Sequence, residues 1–346
     1  MNKDHFMLKE ILETPIVLDG LATSDFVLPP TVLNKLVNAE RILILGCGTS
    51  YHAGLLGKIF LERFGHVSVM TIIASEWNSL PDENGKFDLA ILISQSGETA
   101  EILSAFKILR AKNIFTIAIT NAEKSSVAQE ADFSIYQNAG LEKSVAATKT
   151  FISQAAILLR LALTVKKSET ATRELKKLSN LTRQIIKQEL RIKAIAMKYK
   201  RFDRLFVFGR GTNLPIALEG ALKLKESAQV FTEGLPTGEL RHGPMAMIDK
   251  KLPSIFILPI DSDYRKNLSI LADVKKNGGS IIVITTEGNK DLAKLVKDVI
   301  YIPKTVEYFY PFLSAVALQL LAYWSGVLRG CNVDKPRNLT KAVTKE

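Results

Sequence analysis

Cysteine is nearly absent: the 346 residues contain two, Cys47 and Cys331, far apart and without metal-type spacing. That argues against a disulfide framework and a zinc-type site, and fits a reducing compartment. Proline (12 residues) and glycine (20) are too few for a disordered or fibrous chain. No uninterrupted apolar run reaches about 18 residues, so no segment reads as membrane-spanning. The opening Met-Asn-Lys-Asp-His carries no apolar signal core, and the expected location is the cytoplasm. What is present is a folded composition, 47% hydrophobic and 23% charged, over a length that suits two domains.

The net charge of +11 could advertise nucleic acid, but its location argues otherwise. Between Lys166 and Arg204 stand 13 basic and 4 acidic residues, so +9 of the total lies in this one segment. Leu175, Leu178, Leu181, Ile185, Ile186, Ile192 and Ile195 recur there at mostly helical spacing. The segment therefore reads as one or two amphipathic connecting helices with a solvated basic face. Neither a nucleic-acid motif nor an aromatic platform accompanies the charge, and neither nucleic acid nor membrane is an expected partner.

On either side of the basic segment the chain repeats itself. Arg41 to Ser50 (R-I-L-I-L-G-C-G-T-S) matches Arg204 to Asn213 (R-L-F-V-F-G-R-G-T-N), and Phe115 to Asn121 (F-T-I-A-I-T-N) matches Ile281 to Glu287 (I-I-V-I-T-T-E). Short Val/Ile/Leu-rich runs alternate with helical patterns in each copy, the signature of a parallel sheet covered on both faces. The expected strands are 41–46, 67–73, 88–94, 114–120 and 133–136, then 204–209, 254–259, 280–285 and 299–302, with a weaker candidate at 229–232. The expected fold is α/β: two tandem flavodoxin-like three-layer αβα units. The first covers 1–165 with a helical lead-in, the connector 166–203, and the second 204–346. Ligands of such sheets bind at the carboxyl ends of the strands.

Two strand ends in the first copy carry hydroxyls. Leu89 to Ile93 runs into Ser94-Gln95-Ser96-Gly97-Glu98-Thr99 before a helical stretch, and Arg41 to Leu45 runs into Gly46-Cys47-Gly48-Thr49-Ser50. A helix N-terminus offers amide hydrogens and a partial positive charge, and flanking hydroxyls add donors that suit a phosphate. Neither segment is a Walker loop or a dinucleotide fingerprint. An ordinary helix cap would use the same serines. The second copy has Leu258-Pro259-Ile260 in the corresponding place, so it is expected to supply something else. In Ala217 to Gln229 (A-L-E-G-A-L-K-L-K-E-S-A-Q), Glu219, Lys223 and Glu226 fall on one helical face. That spacing fits either a surface salt-bridge ladder or a set of acid/base groups. The loop Gly238-Glu239-Leu240-Arg241-His242-Gly243-Pro244 follows within a short distance and holds one of only four histidines.

With these motifs, together with V-A-A-T-K at 145–149 and P-R-N-L-T-K-A-V-T-K-E at 336–346, the sequence resembles the SIS (sugar isomerase) domain family. Within it the nearest group is the isomerase portion of the glutamine:fructose-6-phosphate aminotransferases. The resemblance spans essentially the whole chain. It implies that Thr49, Ser94, Gln95, Ser96 and Thr99 bind a phosphate, with Ser50 and Val145 beside the sugar. It implies Glu226 as the base moving a proton between two sugar carbons and His242 as the residue assisting ring opening. Lys341 would form a Schiff base with the open-chain ketose, and Lys223 and Glu219 would be the supporting neighbours of this set. It further implies a homodimer in which His242 reaches the partner's site, a sugar phosphate as small-molecule substrate, and no cofactor or metal.

Full-length aminotransferases of this kind begin with a glutaminase domain whose nucleophile is an N-terminal cysteine, whereas residue 2 here is Asn. Glutamine hydrolysis is therefore not expected of this chain alone. Three readings fit: an isomerase domain of the larger enzyme, a free-standing homologue using ammonia or a separate glutaminase, and a glucosamine-6-phosphate deaminase. A fructosamine-6-phosphate deglycase differs from the last only in substrate, and a non-catalytic sugar-phosphate sensor is the alternative from another class.

Overall fold

The computed structural model describes residues 5–23, 27–77, 79, 87–166 and 171–344. Of the segments singled out above, Met1–Asp4 of the lead-in, 167–170 of the connector and Lys345-Glu346 of the tail motif lie outside the described residues. The chain forms two compact units. One comprises Ile16–Glu142, Lys149–Lys177 and Thr340–Glu346 and carries the hydroxyl-rich strand ends; we call it the hydroxyl unit. The other, the carboxylate unit, comprises Met1–Pro15, Lys143–Thr148 and Leu178–Leu339 and carries Glu219 and Glu226.

The hydroxyl unit is built on five parallel strands, β1 (Arg41–Gly46), β2 (Ser68–Ile73), β3 (Leu89–Ile93), β4 (Phe115–Thr120) and β5 (Phe133–Tyr136), in the order β2-β1-β3-β4-β5. Every residue of β3 is buried, and only Arg41 of β1 is exposed, as expected of central strands covered on both faces. Leu43, Leu45, Ala90 and Leu92 pack with Ile102 and Phe106 of the helix Ala100–Ala111 to make its core. On the other face, helix Thr49–Gly65 lies so close to helix Lys149–Val165 that a Cβ on Gly57 would stand 2.9 Å from Leu158.

The carboxylate unit repeats the plan with β6 (Arg204–Gly209), β7 (Phe231–Pro236), β8 (Ser254–Ile257), β9 (Ile281–Thr286) and β10 (Asp298–Ile302), in the order β10-β9-β8-β6-β7. Read from the β7 edge, this is the order of the first sheet, so the internal repeat is structural as well as textual. Phe206, Phe208, Phe256, Leu271 and Val283 form part of its core. The weak candidate at 229–232 forms two residues later, as β7, an edge strand containing Gly234 and ending at Pro236. Gly234 is required because its backbone abuts helix Leu214–Ala228: a Cβ there would lie 2.7 Å from the Ala217 carbonyl.

The basic connector folds as helices Ala171–Ile186 and Glu189–Tyr199, with Leu175, Leu178, Ile185, Ile192 and Ile195 buried and most lysines and arginines outward. Among the described residues, Glu307–Leu328 alone is long and apolar enough to cross a membrane by composition. Its helical part, Tyr310–Leu328, is instead a core helix, buried at nearly every position. Polar residues interrupt it, which is why no continuous apolar run marks it in the sequence.

Candidate functional site

In both sheets the strand order reverses beside the first strand of the unit, between β1 and β3 and between β6 and β8. At such a reversal the connections leave in opposite directions and open a crevice at the carboxyl ends of the strands. In the hydroxyl unit the segments following β1 and β3 are Cys47–Ser50 and Ser94–Thr99, so Thr49, Ser50, Ser94, Gln95, Ser96 and Thr99 are gathered at adjacent strand ends.

The Ser94–Thr99 loop is held in shape by its own polar groups. Ser94 Oγ accepts the Gly97 amide at 3.0 Å and lies 2.8 Å from Thr99 Oγ1, and Ser96 Oγ accepts the Glu98 amide at 3.2 Å. Gln95 O accepts the Asn121 amide at 3.1 Å, while the Glu98 carboxylate accepts the Ser126 amide at 2.7 Å, tying the loop to the end of β4 and to the next helix. Gly97 has φ +65°, and a Cβ on it would strike Ser125 Oγ at 2.0 Å; only glycine fits. Thr99, the N-cap of helix Ala100–Ala111, makes no side-chain cap bond. The serines therefore build the turn, and the loop presents a helix N-terminus with Gln95, Ser96 and Thr99 half-exposed. Ser50 Oγ, beside it, accepts Gln154 Nε2 at 3.1 Å, and burial together with the Glu101 carboxylate pushes the neighbouring Cys47 thiol up.

Lys341 belongs to this same unit. Its Nζ donates to Glu142 Oε2 at 2.5 Å, and two residues later the Val343 carbonyl accepts the amide of Ala100, the first residue of the helix after the hydroxyl loop, at 3.1 Å. The tail is thus tethered next to that loop. Glu142 is a residue that the sequence did not flag: its partner is 199 positions away, and its eight-residue spacing to Thr150, which it also binds, matches no capping pattern.

Val145, Glu219, Lys223, Glu226 and His242 belong to the carboxylate unit. Helix Leu214–Ala228 begins with Pro215 in its first turn, ends at Gln229 in the left-handed conformation, and is buried around most of its circumference. The charged face is therefore interior, and a surface ladder is ruled out. Lys223 has a fully buried side chain, 3.4 Å from Glu219 Oε1 and in contact with Glu226 Oε2. Glu219 is 2% exposed and Glu226 17%, so Glu226 is the member of the trio that reaches solvent. Lys223 contacts both acids, so the outer one, Glu226, is held in a fixed direction.

His242 ends the 3-10 turn Thr237–His242, which is anchored by buried Thr237 and Leu240 and followed by Gly243 at φ +137°. It is exposed and lines a cavity of about 490 Å³ with Arg210, Glu239, Arg241 and Lys266. Arg241 is engaged by Asp273, its Nε donating to Oδ2 at 3.0 Å. Val145 is half-buried and donates its amide to Asp334 O at 3.0 Å.

The corresponding crevice of the carboxylate unit carries charges of both signs, with Asp263 paired to Arg210 Nε at 4.0 Å and to Lys266 Nζ at 3.4 Å. Asp261 and Asp263 follow β8, and Asn213 Nδ2 is 3.5 Å from Asp261 Oδ2. Burial chiefly, with Glu307 and Asp263 adding to it, raises the Asp261 carboxyl to about 6. This strand end offers paired acidic and basic groups where the first copy offers hydroxyls. Among the described residues no group of His, Cys, Asp and Glu is arranged to hold a metal ion.

The SIS domain profile matches residues 35–164 and 198–329. Over 360 residues the chain is 39% identical to a glutamine--fructose-6-phosphate aminotransferase [isomerizing] of Chlorobaculum tepidum, covering 99% of this chain and 59% of that protein. It thus spans a little over half the length of that relative. The C-terminal domain of a glucosamine-fructose-6-phosphate aminotransferase from Francisella tularensis superposes with a TM-score of 0.89 at 32% identity, covering 96% of this chain and 99% of that one. A glucosamine-6-phosphate deaminase from Thermotoga maritima superposes with a TM-score of 0.78 at 26% identity, covering 98% and 99%. Two matched segments, one on each sheet, and full coverage of a related domain establish that the chain belongs to the SIS domain family.

Proposed function

We propose that this chain is a phosphosugar isomerase of the aminotransferase type, interconverting fructose 6-phosphate and glucosamine 6-phosphate with ammonia as nitrogen donor. The observation that carries this reading is the tethering of Lys341 beside the Ser94–Thr99 loop, an amine and a hydroxyl-rich helix start on one unit. The phosphate is held by Thr49, Ser94, Gln95, Ser96 and Thr99, with Ser50 and Val145 beside the sugar. His242 assists ring opening. Lys341 Nζ adds to the C2 carbonyl and water leaves; ammonia then replaces the lysine. Glu226 moves one proton from C1 to C2, and the sum is fructose 6-phosphate plus ammonia giving glucosamine 6-phosphate plus water, with no external oxidant. Lys223 and Glu219 hold Glu226. A cytoplasmic homodimer in which His242 serves the partner's site is part of the same reading, as is ammonia from solution or from a separate glutaminase.

The likeness to a glucosamine-6-phosphate deaminase favours a second reading, the same chemistry run toward ammonia release. One experiment separates the two: purified protein is incubated with fructose 6-phosphate, with and without ammonia, and with glucosamine 6-phosphate, and products are quantified. Net amination supports the first reading and net ammonia release the second. Tight binding without turnover of any of them rejects both in favour of a sensor.

A further inference from the structure

Glu142 is a carboxylate sealed inside the hydroxyl unit, its side chain without solvent exposure. Such a group persists only where its charge and lone pairs are met. Thr150 donates its amide to Oε1 at 3.2 Å and its hydroxyl to Oε2 at 2.7 Å, both at the first turn of helix Lys149–Val165, where the helix dipole favours an anion. The helix therefore fixes the carboxylate, and Lys341 is the partner that comes to it, at 2.5 Å, from a segment without helix or strand. Two residues on, the Val343 carbonyl takes the Ala100 amide. A lysine side chain has four rotatable bonds, and pinning both its head and its backbone removes most of that freedom before a substrate arrives.

We propose that Glu142 is a positioning residue for Lys341: it draws the tail amine down onto the hydroxyl unit and sets its direction toward the carbonyl of a ketose phosphate seated at Ser94–Thr99. This rests on Lys341 being the imine-forming amine. In that step the Lys341 ammonium gives one proton to the Glu142 carboxylate, the neutral Nζ bonds to C2, and its two remaining hydrogens leave with the carbonyl oxygen as water, with no change of oxidation state. Glu142 touches the amine and need not touch the sugar.

The test is reductive trapping. Protein is incubated with fructose 6-phosphate and borohydride, the adduct is located by peptide mass spectrometry, and affinity for fructose 6-phosphate is measured calorimetrically. Glu142→Gln loses the charge and keeps one oxygen, which meets one of the two Thr150 donors. The expected result is an adduct on Lys341 in the unaltered protein, formed about tenfold or more slowly in E142Q at saturating substrate, with affinity unchanged and the variant, though lower in melting temperature, still folded at the assay temperature. Glu142→Asp, which keeps the charge, regains part of the rate. Trapping in E142Q at the unaltered rate overturns the positioning role, as does a loss that merely follows weakened binding or unfolding. No adduct on the unaltered protein overturns the reading of Lys341 and this role with it.

Discussion

Lys223 Nζ lies 3.4 Å from Glu219 Oε1 and also contacts Glu226 Oε2, within a side chain that has no solvent exposure. A buried ion set of this kind contributes little net stability, but removing one member leaves charge uncompensated. Lys223→Met is expected to lower unfolding free energy by about 3 kcal/mol. Turnover should fall further than that loss explains, because Glu226 loses the group that orients it. Urea denaturation and kcat measured on the same preparation check both effects.

The hydroxyl loop depends on Gly97, whose φ of +65° and contact with Ser125 exclude a side chain. Gly97→Ala is expected to reshape the turn closed by Ser94 Oγ and to weaken fructose 6-phosphate binding by about tenfold or more, roughly the worth of one or two charge-assisted hydrogen bonds. Stability should change less, because the loop lies at the end of the sheet. Calorimetric titration with fructose 6-phosphate and with inorganic phosphate measures the loss.

Much of this was legible in the sequence. The apolar runs at Arg41, Leu89, Phe115, Arg204 and Ile281 became strands within a residue or two of expectation, because parallel strands buried on both faces admit little but Val, Ile and Leu. The Ser94–Thr99 loop and the Glu219/Lys223/Glu226 face were visible for the same local reason, a motif within one turn or one helix. The burial of Lys223 was not visible, since helical spacing reports which residues share a face but not whether water reaches it. Glu142 was hidden because its meaning depends on a lysine 199 residues away. β7 was misplaced by two residues because its Gly234 and Pro236 depart from strand preferences in response to the neighbouring helix.

Asp261 gives the carboxylate unit a pH signature. Its folded carboxyl holds a proton up to about 6, against an ordinary 3.8, chiefly because it is buried. Between those values the folded state binds more protons than the unfolded one, so this residue makes stability fall as pH rises through that window. Asp261→Asn is expected to flatten that slope and to raise stability at pH 7 by about 1–2 kcal/mol, after discounting for solvent screening. Thermal melts between pH 4 and pH 7 on both proteins would show it; parallel curves would assign the slope to other groups.

The position of the Glu226 helix is set by a glycine contact. Gly326, on the core helix Tyr310–Leu328, packs so closely that a Cβ would lie 2.3 Å from the Ser227 carbonyl and 2.7 Å from Val333. Gly326→Ala gains helix propensity of about 1 kcal/mol, yet the backbone it would strike has to move, and overpacking of this kind costs about 1–3 kcal/mol. A net loss of stability accompanied by lower kcat with little change in KM is expected, measured by denaturation and steady-state kinetics.

Under the proposed function the Glu226 carboxylate moves a proton between the first two carbons of a sugar phosphate. Solvent deuterium incorporation into fructose 6-phosphate, followed by NMR in heavy water, tests it directly. The unaltered protein is expected to exchange the C1 hydrogen, and Glu226→Gln to slow that exchange by about a hundredfold or more while leaving phosphate binding intact. Undiminished exchange in E226Q, or no exchange by the unaltered protein despite tight binding, would contradict the account.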